Sequence, residues 1–137
     1  MTNVVTYLMF DGNCREAVTF YAKCLGAELF LMPFSDVPGN PAPEHKDRIM
    51  HARLMKKVPV LMASDGEPGK PPRQGNNFSV SIACESAEEV EKLFTALAEG
   101  GTVSVAPHDA FWGARFGMLT DRYGISWMFN YEYPKKA

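Results

Sequence analysis

The clearest alternation of apolar and polar positions lies toward the C-terminal end of the chain. Phe116, Met118 and Thr120 interleave with Arg115, Gly117 and Leu119. After Asp121-Arg122-Tyr123-Gly124, Ile125, Trp127 and Phe129 interleave with Ser126, Met128 and Asn130. A period of two on both sides of a turn tetrapeptide predicts a β-hairpin within 111–130. One face is aromatic and suits a core. The other, carrying Arg115, Ser126, Met128 and Asn130, suits a half-open pocket.

The same pattern, followed from the start, predicts a strand over 3–10, rich in β-branched and aromatic residues and ended by Asp11-Gly12. Ala17, Phe20, Tyr21, Cys24 and Leu25 then fall on one helical face, with Asp11 or Asn13 placed to cap the helix and Gly26 to end it. A strand follows over 27–34. The stretch 35–47, with Pro38, Gly39, Pro41 and Pro43, cannot enter a ladder and reads either as a lid or partner-contacting loop or as a mobile surface loop. Strands are predicted over 48–55 and 58–64. Pro59 puts the second at an edge there or delays its start.

Gly66, Pro68, Gly69, Pro71 and Pro72 make 65–74 the strongest internal break. Beyond it the order repeats, starting with a strand over 77–84. Ser86 and Glu89 spell a capping box, and Val90, Leu93, Phe94 and Leu97 line a helix that ends at Gly100-Gly101. A short strand over 102–105 leads into the hairpin. Each half therefore reads as strand, helix and three strands, an internal repeat of pattern. The expected fold is α+β, a single domain of two βαβββ modules at approximately 1–66 and 75–133. Each module leaves one sheet face uncovered by its helix, and two such faces can enclose a cavity.

Composition narrows the function classes. The 137 residues are long enough for a core without staples. With 14 basic and 16 acidic side chains and a net charge of −2, the chain offers no electrostatic footprint for nucleic acid or anionic membrane. Cys14, Cys24 and Cys84 are odd in number and form no CxxC pair, and the first residues do not resemble a secretion signal. A cytoplasmic location is the expectation. Cys24 and Cys84 fall at apolar-periodic positions, as small buried hydrophobes do. No apolar run reaches the length of a membrane span. Phosphate loop, dinucleotide-binding glycine fingerprint, nucleophile elbow and zinc-protease motif are all missing, and nothing in the residues supports a methyltransferase.

Several side chains have a chemical and a plainer reading. His51, flanked by Met50 and Ala52, shares a strand face with Ile49 and Arg53. It could act as a base, with Arg53 holding an anionic group, or be a hydrogen-bonded structural histidine. His45 and His108 lie in proline-containing stretches read as loops and share no ligand spacing. Arg115 offers a fork for a carboxylate or phosphate, or an ion pair with Asp121 or another strand carboxylate. Trp112 could line a pocket mouth or a dimer interface. Asp121 is read as ordering the turn before Gly124. The eight methionines, Met9, Met50, Met118 and Met128 among them, either fill core gaps or build an adaptable apolar pocket.

Tyr7-Leu-Met-Phe-Asp-Gly-Asn13, Glu16-Ala17 with Phe20-Tyr21 and Leu25-Gly26, Ile49-Met-His-Ala-Arg-Leu54, Ser64-Asp65, and Trp112-Gly-Ala-Arg115 through Asp121-Arg-Tyr-Gly124 to Trp127 together span nearly the whole chain. In this order and spacing they resemble the vicinal oxygen chelate superfamily of glyoxalase I, extradiol dioxygenases and bleomycin-resistance proteins, and more narrowly its PhnB-like branch. The resemblance implies paired βαβββ modules, a homodimer, and in chemically active members a divalent metal held from the first, fourth, fifth and last strands. Carried over to this chain, those ligand positions fall on Thr6, Met62, Ser79 and Met128, uncertain by about one residue. Neutral hydroxyls and thioethers do not make a site for hard divalent ions. The expectation is a protein that binds a small apolar or amphipathic molecule without metal, through Thr6, Met62, Ser79, Arg115, Met128, Trp112 and Arg53. The alternative is a metal-dependent lyase, isomerase or dioxygenase with non-standard ligands, for which His51 is the candidate catalytic residue.

Overall fold

A computed structural model of the chain describes residues 2–39 and 42–135. Pro41, part of the loop expected over 35–47, lies outside the described residues. The backbone divides into two compact units, residues 1–73 and 74–137.

In the first unit β1 (Tyr7–Phe10), α1 (Cys14–Leu25), β2 (Glu28–Pro33), β3 (Ile49–Met55) and β4 (Pro59–Asp65) build a four-stranded sheet of order β1-β4-β3-β2. β1 runs parallel to β4, and the other neighbours are antiparallel. α1 packs on β2, β3 and β4. Its buried stripe is Cys14, Ala17, Val18 and Tyr21, the i, i+3, i+4, i+7 set. That stripe is rotated from the expected one, since Phe20, Cys24 and Leu25 are only half-buried. It meets a sheet face in which Leu8, Phe10, Ala52, Leu54, Leu61 and Ala63 are buried. Fully burying each large aliphatic or aromatic side chain is worth roughly 1.5–3 kcal/mol. Pro59 sits in a central strand without conflict because β1 joins β4 only from Met62 onward.

The start of α1 departs from expectation. Asn13 stands at the N-cap but its side chain makes no capping bond. The buried carboxylate of Asp65, at the end of β4, does that work from across the sheet. Its Oδ1 accepts from the backbone N–H groups of Gly12 at 2.7 Å and Cys14 at 3.0 Å, and its Oδ2 from that of Ile49 at 2.8 Å. One side chain thus ties β4, β3 and the loop into α1 together, and its negative charge lies at the positive end of the helix.

The second unit repeats the order: β5 (Val80–Ala83), α2 (Ala87–Ala98), β6 (Thr102–Ala110), β7 (Ala114–Thr120) and β8 (Ser126–Glu132), in a sheet of order β5-β8-β7-β6. The capping box forms, with Glu89 N–H donating to Ser86 Oγ at 3.0 Å and the Glu89 carboxylate accepting from the Glu85 amide at 3.1 Å. Val90, Phe94 and Leu97 bury the helix against β6, β7 and β8. Asp121 orders the hairpin turn as expected. Its Oδ1 accepts from the amides of Tyr123 and Ile125, and its Oδ2 from the indole N–H of Trp127 at 2.8 Å. Gly101 passes so close to this turn that an added Cβ would lie 2.9 Å from the Asp121 Cα.

Strand ends differ from the pattern-based expectation. β1 and β5 are shorter than predicted, whereas β6 runs on through Pro107 to Ala110, so His108 lies in a strand and not in a loop. Register shifts along β6 absorb the proline.

Asp65→Ala should lower stability by about 3 kcal/mol, the cost of leaving buried amides without their charged acceptor. Asn13→Ala should change stability by less than about 0.5 kcal/mol because no cap is lost. Urea unfolding of the two variants checks this, and the reverse ranking would rule out the cross-sheet cap.

Candidate functional site

In a sheet with a helix on one side, the opposite face is where a ligand can approach. Because side chains alternate, the ladder register decides which residues stand there. In the first unit, Tyr7 pairs with Met62, Met62 with Arg53, and Arg53 with Phe30, a row across all four strands. The neighbouring residues Leu8, Leu54 and Leu61 are buried toward α1, so this row belongs to the open face. Met9 lies two residues along β1 from Tyr7, and His51 pairs with Met32. The open face keeps large apolar side chains in solvent: Tyr7 is 41% exposed, Met9 49%, Phe30 48% and Met32 45%. A contiguous apolar surface of this kind marks a binding face more often than scattered exposure does.

Two polar features stand on it. The Tyr7 hydroxyl and His51 Nδ1 share a hydrogen bond of 3.0 Å, with the rings tilted against each other at 5.6 Å. The Arg53 guanidinium lies over the Phe30 ring, 5.1 Å from its centroid. Ser64 is buried and donates to the Met9 sulfur at 3.8 Å.

In the second unit, Ser81, Met128, Met118 and Val105 form the corresponding row, and Ala83, Asn130, Phe116 and His108 the next. Trp112 is half-exposed in the β6–β7 turn and packs edge-on against Phe116 at 5.3 Å and Phe111 at 5.1 Å. His108 meets the edge of Phe116, and its Nδ1 is bonded to the Ala106 carbonyl at 3.0 Å. Met9 and Met50 are exposed, and Met118 and Met128 are half-buried.

Met62, Met128, Arg53 and His51 thus stand on open faces, and Trp112 borders one. Three expected residues are displaced. Thr6 precedes β1 and by alternation shares the side of Leu8; its carbonyl accepts from the Met62 amide, and Tyr7 is the residue that pairs with Met62. Ser79 precedes β5, and Ser81 is the partner of Met128. Arg115 is on the other face from Met128. It pairs with Tyr131, in the set with Gly117 and Phe129, and its Nε donates to Glu91 of α2 at 2.9 Å while Nη1 reaches Asp109 at 3.3 Å. The Tyr133 hydroxyl donates to the same Asp109 oxygen at 2.6 Å. Arg115 is thus an ion-paired brace between sheet and helix, not part of an open face with Met128.

This network shifts its members. The Tyr133 hydroxyl first, and Arg115 second, hold the Asp109 carboxyl below the usual range. Glu91 and Asp109 raise Arg115, and Asp109 raises Tyr133. The buried thiols are poor nucleophiles. Burial, with Asp65 adding to it, pushes Cys14 up to about 12, and burial with Glu89 pushes Cys84 up to about 11.

Of the positions expected for a metal, Thr6 and Ser79 lie outside the strands; where the first strand meets the fourth and the fifth meets the last, the ladder pairs are Tyr7 with Met62 and Ser81 with Met128. A phenol, a hydroxyl and two thioethers do not fit a hard divalent ion, and the Arg53 charge beside Met62 would oppose one. Among the described residues no three His, Cys, Asp or Glu side chains come together as a metal-holding group.

Compared with known proteins, the chain matches the family model described as 3-demethylubiquinone-9 3-methyltransferase over residues 2–129. Protein PA1353 from Pseudomonas aeruginosa is 47% identical in its crystal structure, with a TM-score of 0.86 over 96% of this chain and 98% of that one. A putative 3-demethylubiquinone-9 3-methyltransferase, PhnB protein, from Bacillus cereus is 25% identical, with a TM-score of 0.76 over 95% and 99%. A glyoxalase/bleomycin resistance protein/dioxygenase family enzyme from Burkholderia phytofirmans PsJN shares the fold at a TM-score of 0.68, with 15% identity over 94% and 97%. Two mixed four-stranded sheets, each with its helix, are thus the glyoxalase/bleomycin-resistance architecture.

For Asp109 the sign is that of a depressed carboxylate. Its contribution to stability is present above the ordinary aspartate pKa and lost as pH falls through the folded value. Carboxyl carbon shifts followed by NMR should show Asp109 titrating below the other surface carboxylates. Tyr133→Phe and Arg115→Gln should each raise its midpoint, and an unmoved midpoint in both would contradict the network.

Proposed function

The chain belongs to the 3-demethylubiquinone-9 3-methyltransferase-like (PhnB-like) family of the glyoxalase/bleomycin-resistance fold, and on that premise we propose that it binds a small apolar or amphipathic molecule against its open sheet faces without a divalent metal. The observation that supports the proposal is that the first strand meets the fourth as the pair Tyr7 with Met62, and the fifth meets the last as Ser81 with Met128, so the strands from which the resemblance expects metal ligands offer a phenol, a hydroxyl and two thioethers. Thioethers adapt their shape to an apolar guest, and the surrounding row of Met9, Phe30 and Met32 supplies area for it. Trp112 and Phe116 offer the second unit's face an aromatic edge. A homodimer in the cytoplasm is the setting proposed for this activity; among the described residues no helix is long and apolar enough to cross a membrane.

Methyl transfer, which the family's description names, forms no part of the proposal. Amides at both helix starts, the places where a cofactor's phosphate or carboxylate could dock, are engaged by the chain itself: Gly12 and Cys14 by Asp65, Glu89 by Ser86. Metal-dependent lyase, isomerase or dioxygenase chemistry is the competing proposal. It would need donors other than those on the two ladder pairs.

A panel of hydrophobic compounds screened by thermal shift, with hits quantified by calorimetry and metal content read on the same chelator-free preparation, tests the proposal. Met62→Glu or Met128→Glu should weaken hits at least tenfold, about 1.4 kcal/mol, by placing a charge on an apolar bed. Unchanged affinity in both variants, or near-stoichiometric metal in the wild-type protein, would overturn it.

A further inference from the structure

The open face of the first unit is not uniformly apolar, and its polar groups are of one kind. Arg48, Arg115 and Arg122 each hold a carboxylate, whereas among the described residues no ion pair is found for Arg53, as for Arg15 and Arg73, and of these three Arg53 is the one on the open face. Phe30 supports it from one side and is neutral, so its charge is unspent. A guanidinium stacked on a ring keeps its N–H edge available, the geometry that takes a carboxylate with two parallel hydrogen bonds. His51 stands two residues away on the same strand, which puts the two Cα atoms roughly 6.6 Å apart on one face. Tyr7 occupies His51 Nδ1. Nε2 is the ring nitrogen left open beside the guanidinium, and in the tautomer in which the phenol donates to Nδ1 it carries the ring proton and is a second donor. The carboxylate on this face, Glu28, pairs with Met55 in the ladder and makes no ion pair with Arg53. Apolar surface flanks both donors, in Met62 next to Arg53 and Met32 next to His51.

We propose that Arg53 and His51 form the anion-holding end of a site on this face, receiving the carboxylate of an apolar organic acid whose hydrocarbon body lies across β4 and β1 on Met62 and Met9. Tyr7 is a positioning residue that sets which His51 nitrogen donates. This rests on the binding role proposed above and names its ligand class: a monoanionic acid with an aromatic or aliphatic body. The thioethers around the two donors give little shape selectivity, so charge at one end and hydrophobicity at the other define the ligand.

The test compares 2-naphthoate with 2-naphthylmethanol, which differ in the anionic group, by isothermal calorimetry on the full chain. Wild type should bind naphthoate at least tenfold tighter than the alcohol. Arg53→Gln should abolish that preference while leaving the affinity for the alcohol within twofold, which also shows that the variant is folded. His51→Gln should reduce the preference at least threefold. Equal affinity for acid and alcohol in the wild type, or a preference that survives in both variants, would overturn the anion site and leave the apolar binding role standing. Binding of neither compound would overturn both.

Discussion

A buried carboxylate that cannot be left unsatisfied organises the first unit. Asp65 is withdrawn from water at the end of β4 and meets that constraint by accepting three backbone amides, two from the approach to α1 and one from β3. The helix is thereby fixed to one side of the sheet, and everything on the opposite side is left for other use. The second unit meets the same need with different parts. Its helix is capped locally by Ser86 and Glu89, while Asp121 pins the β7–β8 turn and the Trp127 indole. Each unit thus spends its buried charge on holding one face closed, and the open faces carry the residues that distinguish this chain.

Much of this architecture is legible in the sequence. Periodicity gives the element order of both halves, the Ser86–Glu89 spacing gives the capping box, and the turn residues after Thr120 give the hairpin. The Asp65 cap was missed because it is a long-range bond; its one local sign is an acid closing an otherwise apolar strand. Arg115 was assigned to the wrong face for a different reason. Alternation defines two sets of residues on each strand but not which sets join across the turn, and grouping by polarity put Arg115 with Met128. The register pairs Met128 with Met118 instead. Gly117 held the signal: a glycine inside a strand marks close approach, and here an added Cβ would lie 3.0 Å from the Phe94 ring of α2. Arg115, of the same set, had to face the helix.

The strand positions carried over from the resemblance are displaced unequally. Thr6 is expected where Tyr7 stands, a single step that changes the face, and Ser79 where Ser81 stands, two steps along the same face. The correction changes the chemistry. A phenol in place of the Thr6 hydroxyl brings an aromatic ring and a hydrogen-bond partner for His51, so the imidazole is held by a neighbour and is not an isolated side chain.

The central claim, that the open faces are binding surfaces, is tested most directly by the methionine methyl groups, whose carbon–proton NMR signals report on their surroundings. Titration of the full chain with a hydrophobic hit should move the Met9, Met62 and Met32 signals together in a saturable way. Saturable binding that leaves all three in place, with Met128 and Met118 also unmoved, would show that the ligand sits elsewhere and contradict the account.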